Sequence, residues 1–145
     1  MRHLTDTQIK TVLQFSRYAI VGVLNTLITL IVIFICKGIF HLNPWVSNAL
    51  GYIVGFINSF MWNKMWVFKS HNQVIKEAAK FCIGFLLCYG LQLLVTWTLT
   101  EHTGIGDLNW NLPGFTISGY ALATLLGMIF YTLANFIFNR AVTFK

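Results

Sequence analysis

The side chains with the most chemistry to offer in this chain are five carboxamides and four cations at the ends of long apolar runs. Asn25 lies eight residues into the first run, Asn58 and Asn63 close the second, and Asn135 and Asn139 close the fourth. The last two are four residues apart and share a helix face. Lys64 and Arg140 directly follow Asn63 and Asn139, while Arg17 and Lys80 stand where the first and third runs begin. An amide both donates and accepts hydrogen bonds and so matches sugar hydroxyls. Guanidinium and ammonium groups bring charged donors to phosphate oxygens. The pattern predicts a polar, basic vestibule suited to a lipid with an anionic phosphate and an uncharged polar headgroup. Trp62, Trp66, Phe68, Phe138 and Phe144 stand beside it and suit either a lipid chain or a sugar ring. A plainer reading stays open for all of them. Cations just past a span are ordinary orientation signals, interfacial aromatics are ordinary anchors, and amides between membrane helices often only pack, at about 0.6 kcal/mol each.

Other chemistries find little support. His3, His41, His71 and His102 lie in four separate loops or ends, with no Ser/His/acid set, metal-ligand spacing or glycine-rich phosphate loop. The sequence therefore predicts neither an enzyme nor a bound metal or cofactor. Cys36, Cys82 and Cys88 form no CxxC pair and read as small packing residues. Asp6, Glu77, Glu101 and Asp107 all fall outside the apolar runs. Proton-coupled drug export needs an acid within the membrane, so a small multidrug exporter is not expected.

The elements that must position these groups are membrane helices. Apolar residues make up 57% of the 145 residues and charged ones 10%, with a mean hydropathy of +0.68, against about a quarter charged in a soluble domain. Four runs, about 18–36, 45–63, 81–100 and 117–138, are each long enough to cross a bilayer core of about 30 Å. The first 17 residues are polar and the first run is full length, so no cleaved leader is expected. Arg2, Lys10, Arg17, Lys64, Lys69, Lys76, Lys80, Arg140 and Lys145 fall on one side, and only Lys37 falls on the other. The net charge of +6 therefore reads as topology rather than as nucleic-acid binding, and both termini are expected in the cytoplasm.

The chain also reads as two copies of one unit within a single membrane domain, repeat 1 at about 5–69 and repeat 2 at about 70–145. Residues 51–69 align without gaps on 127–145, with Gly51/Gly127, Phe60/Phe136, Asn63/Asn139, Phe68/Phe144 and Lys69/Lys145 identical. Thr5-x-x-Gln8 and Ser70-x-x-Gln73 have the form of capping boxes. Each precedes a short amphipathic stretch expected to lie along the cytoplasmic interface. Two spans per copy is an even number, so the copies run parallel. The expected fold is all-α, with four transmembrane helices built as two parallel two-helix repeats and short interfacial helices. Gly51, Gly55 and Gly127 belong to stripes of small residues that favour close helix packing, with a partner or homo-oligomer contact as the lesser reading. The second copy has a longer external loop, about 101–116, that carries Trp110, Pro113 and Gly114.

These pieces together resemble the GtrA-like family of small four-span proteins over nearly the whole chain. The resemblance rests on Phe15-Ser-Arg17-Tyr-x-x-Val21-Gly22-x-x-Asn25-Thr26, on Asn48, and on Phe60-x-x-Asn63-Lys64-x-Trp66-Val67-Phe68. It continues in Asn135-Phe136-x-x-Asn139-Arg140-x-x-x-Phe144. Members often carry an Asp shortly after the Asn-Thr pair, where this chain has Thr29. The second copy has Val142-Thr143 where the first has Trp66-Val67.

The resemblance implies translocation of a polyprenyl-phosphate-linked sugar, commonly glucose, from the cytoplasmic to the outer leaflet of a bacterial inner membrane. A membrane glycosyltransferase then uses the sugar in cell-surface polysaccharide synthesis. On this reading Arg17, Lys64, Arg140 and Lys80 take the phosphate, while Asn25, Asn58, Asn63, Asn135 and Asn139 hold the sugar. A 16.5 kDa chain encloses little volume, which makes a homo-oligomer or a partner enzyme plausible. The alternative is a non-transporting subunit that anchors or supports such a glycosyltransferase, with the small-residue stripes as its working surface.

Overall fold

The computed structural model describes residues 6–112 and 115–145. Arg2, His3, Thr5, Pro113 and Gly114 lie outside the described residues, and with them one of the two expected capping boxes. The chain divides into two compact units, Met1–Asn72 and Gln73–Lys145.

The N-terminal unit is an antiparallel helix pair. α1 runs Asp6–Gly38 and α2 runs Pro44–Trp62, continued by one π-helical turn, Asn63–Val67. Asn43 caps α2 by accepting from the Trp45 N–H at 2.8 Å, with Pro44 at the first helical position, where its missing N–H is no loss. Close approach is set by Gly51. A Cβ there would lie 2.5 Å from Ile33 Cγ1 and 3.0 Å from the Thr29 carbonyl oxygen.

The C-terminal unit pairs α3, Val74–His102, with α4, Gly119–Phe138, which is likewise continued by a π-helical turn, Asn139–Thr143. Gly127 meets Thr96 and Gln92 of α3 as Gly51 meets Ile33 and Thr29 of α1. Between these helices lie a short 3-10 turn, Ile105–Asp107, and a hairpin of β1, Asn109–Leu112, with β2, Phe115–Ser118. Its register pairs Asn109 with Ser118 and Leu112 with Phe115. Gly119 follows at the start of α4, donating its N–H to Leu108 O at 2.6 Å, where a Cβ would run into the Ile105 carbonyl. The loop expected at 101–116 thus contains a small sheet, so the fold is mostly helical rather than wholly so.

Two further expectations change. The amphipathic stretches before the first and third apolar runs are not separate short helices but the first turns of α1 and α3. No Gly or Pro separates them from the spans, and extending a helix is far easier than nucleating a second one. Nor does Ser70 cap α3. Gln73 is the N-cap, without a side-chain bond, and Ser70 Oγ accepts locally from the Asn72 N–H at 3.3 Å. Lys69 sits at φ 51°, a left-handed turn that redirects the chain after the π-turn and spends Ser70 on the turn itself.

Among the described residues, α1, α3 and α4 with its π-turn are long and apolar enough to cross a membrane. α2 has 19 residues and carries Asn48, Asn58, Ser47 and Ser59, which dilute its apolar character. The outward surfaces bear exposed Ile20, Val23, Leu27, Phe34, Leu86 and Ile129, as expected of faces turned to lipid rather than water.

Candidate functional site

Both units end in the same device. Asn63 and Asn139 are buried, and each opens a π-turn closed by a backbone bond five residues on, Phe68 N–H to Asn63 O and Phe144 N–H to Asn139 O, both 2.9 Å. In an α-helix residues five apart point about 140° from each other. The wider π-turn brings them onto one side. Each asparagine therefore faces inward together with the phenylalanine that packs on the partner helix. Phe68 meets Tyr18 edge-on with centroids 6.4 Å apart, and Phe144 meets Phe81 at 6.0 Å.

The amides are only half satisfied. Asn63 Nδ2 donates to Ser59 O at 2.8 Å and lies 3.3 Å from Ser59 Oγ, while Asn63 Oδ1 has no partner. In the C-terminal unit Asn139 Nδ2 donates to Asn135 Oδ1, and Asn135 Nδ2 donates to the Tyr131 hydroxyl, both at 3.3 Å. That ladder runs up one face of α4 and ends at Asn139 Oδ1 and Thr143 Oγ1, which are buried and unpartnered. Asn139 and Thr143 have no exposed surface. A buried polar atom without a partner is destabilising by about 1–3 kcal/mol, so a cluster of them beside cations marks a place where a ligand's polar atoms would be favoured.

The cations take up defined positions around these turns. Arg17 stacks on the Trp66 ring, its Cζ 5.7 Å from the centroid, an attraction of about 0.5–2 kcal/mol depending on solvation. Gln14, one turn before it, donates to Val67 O at 3.3 Å. Lys64 Nζ donates to Asn72 O at 2.8 Å, and Lys80 Nζ donates to Val142 O at 3.1 Å. An ammonium has three protons, so the backbone bond of Lys80 leaves donors for an anion. Arg140, next to buried Asn139, is exposed. Trp62 is exposed and meets Trp66 edge-on at 6.1 Å.

Deeper in the N-terminal unit, Asn25 Oδ1 and Asn58 Nδ2 are buried without partners. Gly55 lies against Asn25 and Thr29, its would-be Cβ 3.2 Å from Asn25 Oδ1 and closer still to Thr29 Oγ1. Gly51, Gly55 and Gly127 are thus occupied by packing within their own units.

Several residues here had no role assigned from the sequence. Tyr131 reads there as part of an apolar run, Gln14 and Thr143 lie beyond the runs, and Thr29 stands only where family members often carry an Asp. Glu77 reads there as one of four acids outside the apolar runs, yet only 2% of it is exposed. The one available hint was periodic, since Tyr131, Asn135, Asn139 and Thr143 follow at intervals of four.

A paired-helix fold with apolar outward surfaces, and with buried amides next to cations at the helix ends, defines a class of small membrane proteins with a polar rim. Residues 17–144 match the family described as GtrA/DPMS, transmembrane domain. The chain belongs to that family, and it is a membrane protein. It is similar to the cell wall teichoic acid glycosylation protein GtcA of Listeria innocua, 24% identical over 132 residues that cover 88% of this chain and 82% of that one. The prophage bactoprenol-linked glucose translocase homolog of Escherichia coli is 34% identical over 72 residues, 50% of this chain and 58% of that protein. The membrane protein YngA of Bacillus subtilis is 30% identical over 130 residues, 89% of this chain and 78% of its own.

Proposed function

We propose that this protein translocates a polyprenyl-phosphate-linked sugar across the membrane, and that glucose carried from the cytoplasmic to the outer leaflet is the form to test first. The observation that carries the reading is the buried asparagine with an unpartnered Oδ1 beside a cation, Asn63-Lys64 and Asn139-Arg140, on matching π-turns. Membership of the family and a relative named a bactoprenol-linked glucose translocase homolog support it. The physics is compatible. Each methylene of a lipid tail favours the bilayer by about 0.8 kcal/mol, so the tail stays in lipid and only the headgroup needs a polar route. In this reading Arg17, Lys64, Lys80 and Arg140 attract the phosphate, and Asn25, Asn58, Asn63, Asn135 and Asn139 take the sugar. Trp62, Trp66, Phe68 and Phe144 line the approach. No catalytic step is required.

The same reading takes all four helices as spanning, in two parallel copies within one membrane domain, with both termini in the cytoplasm of a bacterium. The matching Gly51 and Gly127 contacts support the two-copy part. A membrane glycosyltransferase would use the lipid on the outer side. The name of the Listeria relative, a glycosylation protein, keeps a supporting-subunit role as the alternative. The glycines that would have served such a partner are turned inward, and this favours translocation.

The test is mass spectrometry of lipids that co-purify with the wild type and with a Lys64→Ala/Arg140→Ala variant. A polyprenyl-phosphate sugar on the wild type and absent from the variant is the expected result. Retention by both would move the phosphate site away from these cations. Absence from a folded, active wild type would turn the reading to the subunit role.

A further inference from the structure

Short of the π-turns, the unpartnered buried side-chain atoms among the described residues are two carboxamide atoms in the N-terminal unit and one hydroxyl, Thr96 Oγ1 on α3, in the C-terminal unit. In the N-terminal unit, Asn25 Oδ1 on α1 is a buried acceptor without a partner, and Asn58 Nδ2 on α2 is a buried donor without one. Asn25 stands eight residues beyond Arg17, about 12 Å further along the helix. Gly55, three residues before Asn58 and so on a neighbouring face, lets Asn25 and Thr29 lie flush against α2.

The contacts of Gly51 and Gly127 fix which residues of the C-terminal unit correspond. Cys88 stands where Asn25 would be, Tyr131 where Gly55 would be, and Ala134 where Asn58 would be. Cys88 is buried, and the Tyr131 hydroxyl accepts from Asn135. Among the described residues, no unpartnered buried side-chain atom falls at those positions.

An unsatisfied acceptor and an unsatisfied donor within one helix pair have a specific chemical complement. A hydroxyl gives one proton and accepts another, so neighbouring hydroxyls satisfy both groups. A phosphate brings only acceptors and would leave Asn25 Oδ1 unsatisfied, and a metal cation would leave the Asn58 amide protons unsatisfied. We propose that Asn25 and Asn58 form a hydroxyl-reading subsite inside the N-terminal unit, that it selects the uncharged polyhydroxylated part of the cargo, and that the corresponding positions of the C-terminal unit have no counterpart. The inference rests on the translocation reading and adds a division of labour to it. Selection of the sugar lies within α1 and α2, while Asn135 and Asn139 hold it only at the π-turn end of the C-terminal unit, and Thr96 Oγ1 stands apart on α3.

The test uses the full chain in lipid nanodiscs and two probes, polyprenyl phosphate and its glucoside, with binding followed by native mass spectrometry. The wild type should prefer the glucoside. Asn25→Leu and Asn58→Leu should each lower glucoside affinity roughly tenfold or more and leave the sugar-free lipid unaffected, which also shows that the variants are folded. Cys88→Ala and Ala134→Ser, the corresponding changes in the other unit, should leave both affinities unchanged. Glucoside preference retained by the asparagine variants would overturn the subsite and leave the translocation reading standing. Equal loss of both lipids from those variants would also overturn it, because selection would then not be by hydroxyl. Loss of preference in Cys88→Ala would overturn the division between units. A wild type that binds neither lipid would overturn the functional reading and this inference together.

Discussion

Glycine positions provide the sharpest test of the packing, because the structure separates those that touch a neighbouring helix from those that face open space. At Gly51 an added methyl would stand 2.5 Å from Ile33 Cγ1 and 3.0 Å from Thr29 O, whereas comfortable carbon contacts lie near 3.5–4.0 Å. Ile33 is β-branched and held to about one rotamer in a helix, and the Thr29 carbonyl is backbone, so α1 itself must withdraw. Overpacking of that kind destabilises by about 1–3 kcal/mol. Against it stands the helix-propensity gain of Ala over Gly, up to about 1 kcal/mol. Gly51→Ala should therefore be a net loss of about 1–2 kcal/mol. Gly22 and Gly90 have nothing within 4 Å of a would-be Cβ, so Gly22→Ala and Gly90→Ala should be neutral or stabilising by up to about 1 kcal/mol. Reversible unfolding in mixed detergent–SDS micelles, followed by tryptophan fluorescence, measures all three. Equal shifts for Gly51→Ala and Gly22→Ala, or a gain at Gly51, would refute the α1–α2 register described here.

The amide ladder and the topology each make a further prediction. Tyr131→Phe removes the acceptor of Asn135 Nδ2 and should destabilise the protein by about 0.6–1.5 kcal/mol. In a double-mutant cycle with Asn139→Leu the two changes should couple, and strict additivity would show that the ladder does not act as a unit. With Cys36, Cys82 and Cys88 replaced by Ala, His41→Cys and Asp107→Cys should react with an impermeant maleimide from outside intact cells, and Ser70→Cys only after permeabilisation. Labelling of His41→Cys and Ser70→Cys from the same side would mean that α2 does not cross.

Hydropathy carried much of this architecture. The apolar runs lie within the helices found, apart from residue 63, which opens a π-turn, and residues 117 and 118, which close β2, because a span must satisfy its own backbone and so persists as helix wherever apolar residues run on. The π-turns starting at Asn63 and Asn139 were not legible, since each goes with a buried amide and a phenylalanine five residues on that packs on the neighbouring helix, and no composition reports that. The break expected between the amphipathic stretches and the spans did not occur, because nothing around Arg17 or Lys80 interrupts a helix. Candidate polar residues could be named one by one, but their grouping could not. Asn25 meets Gly55 only through the register of α1 on α2, and Tyr131 joins Asn135 only because α4 buries that face. Glu77 hides for a related reason, as an acid in a first helical turn is usually solvated and this one is covered.

The π-turns also bear on chain length in a way that substitutions cannot reveal. A π-turn is an α-helix carrying one residue too many, and removing a single residue from 63–67 or 139–143 would let the backbone close in the ordinary register. The phenylalanine would then follow its asparagine by four residues, about 40° from it around the helix axis. Phe68 would still face Tyr18, and Phe144 would still face Phe81. The same deletion in the regular part of α2 or α4 would instead turn every following side chain by about 100°, the rim included. The surplus residue is thus slack in chain length, taken up at the π-turn without changing the direction in which each rim points.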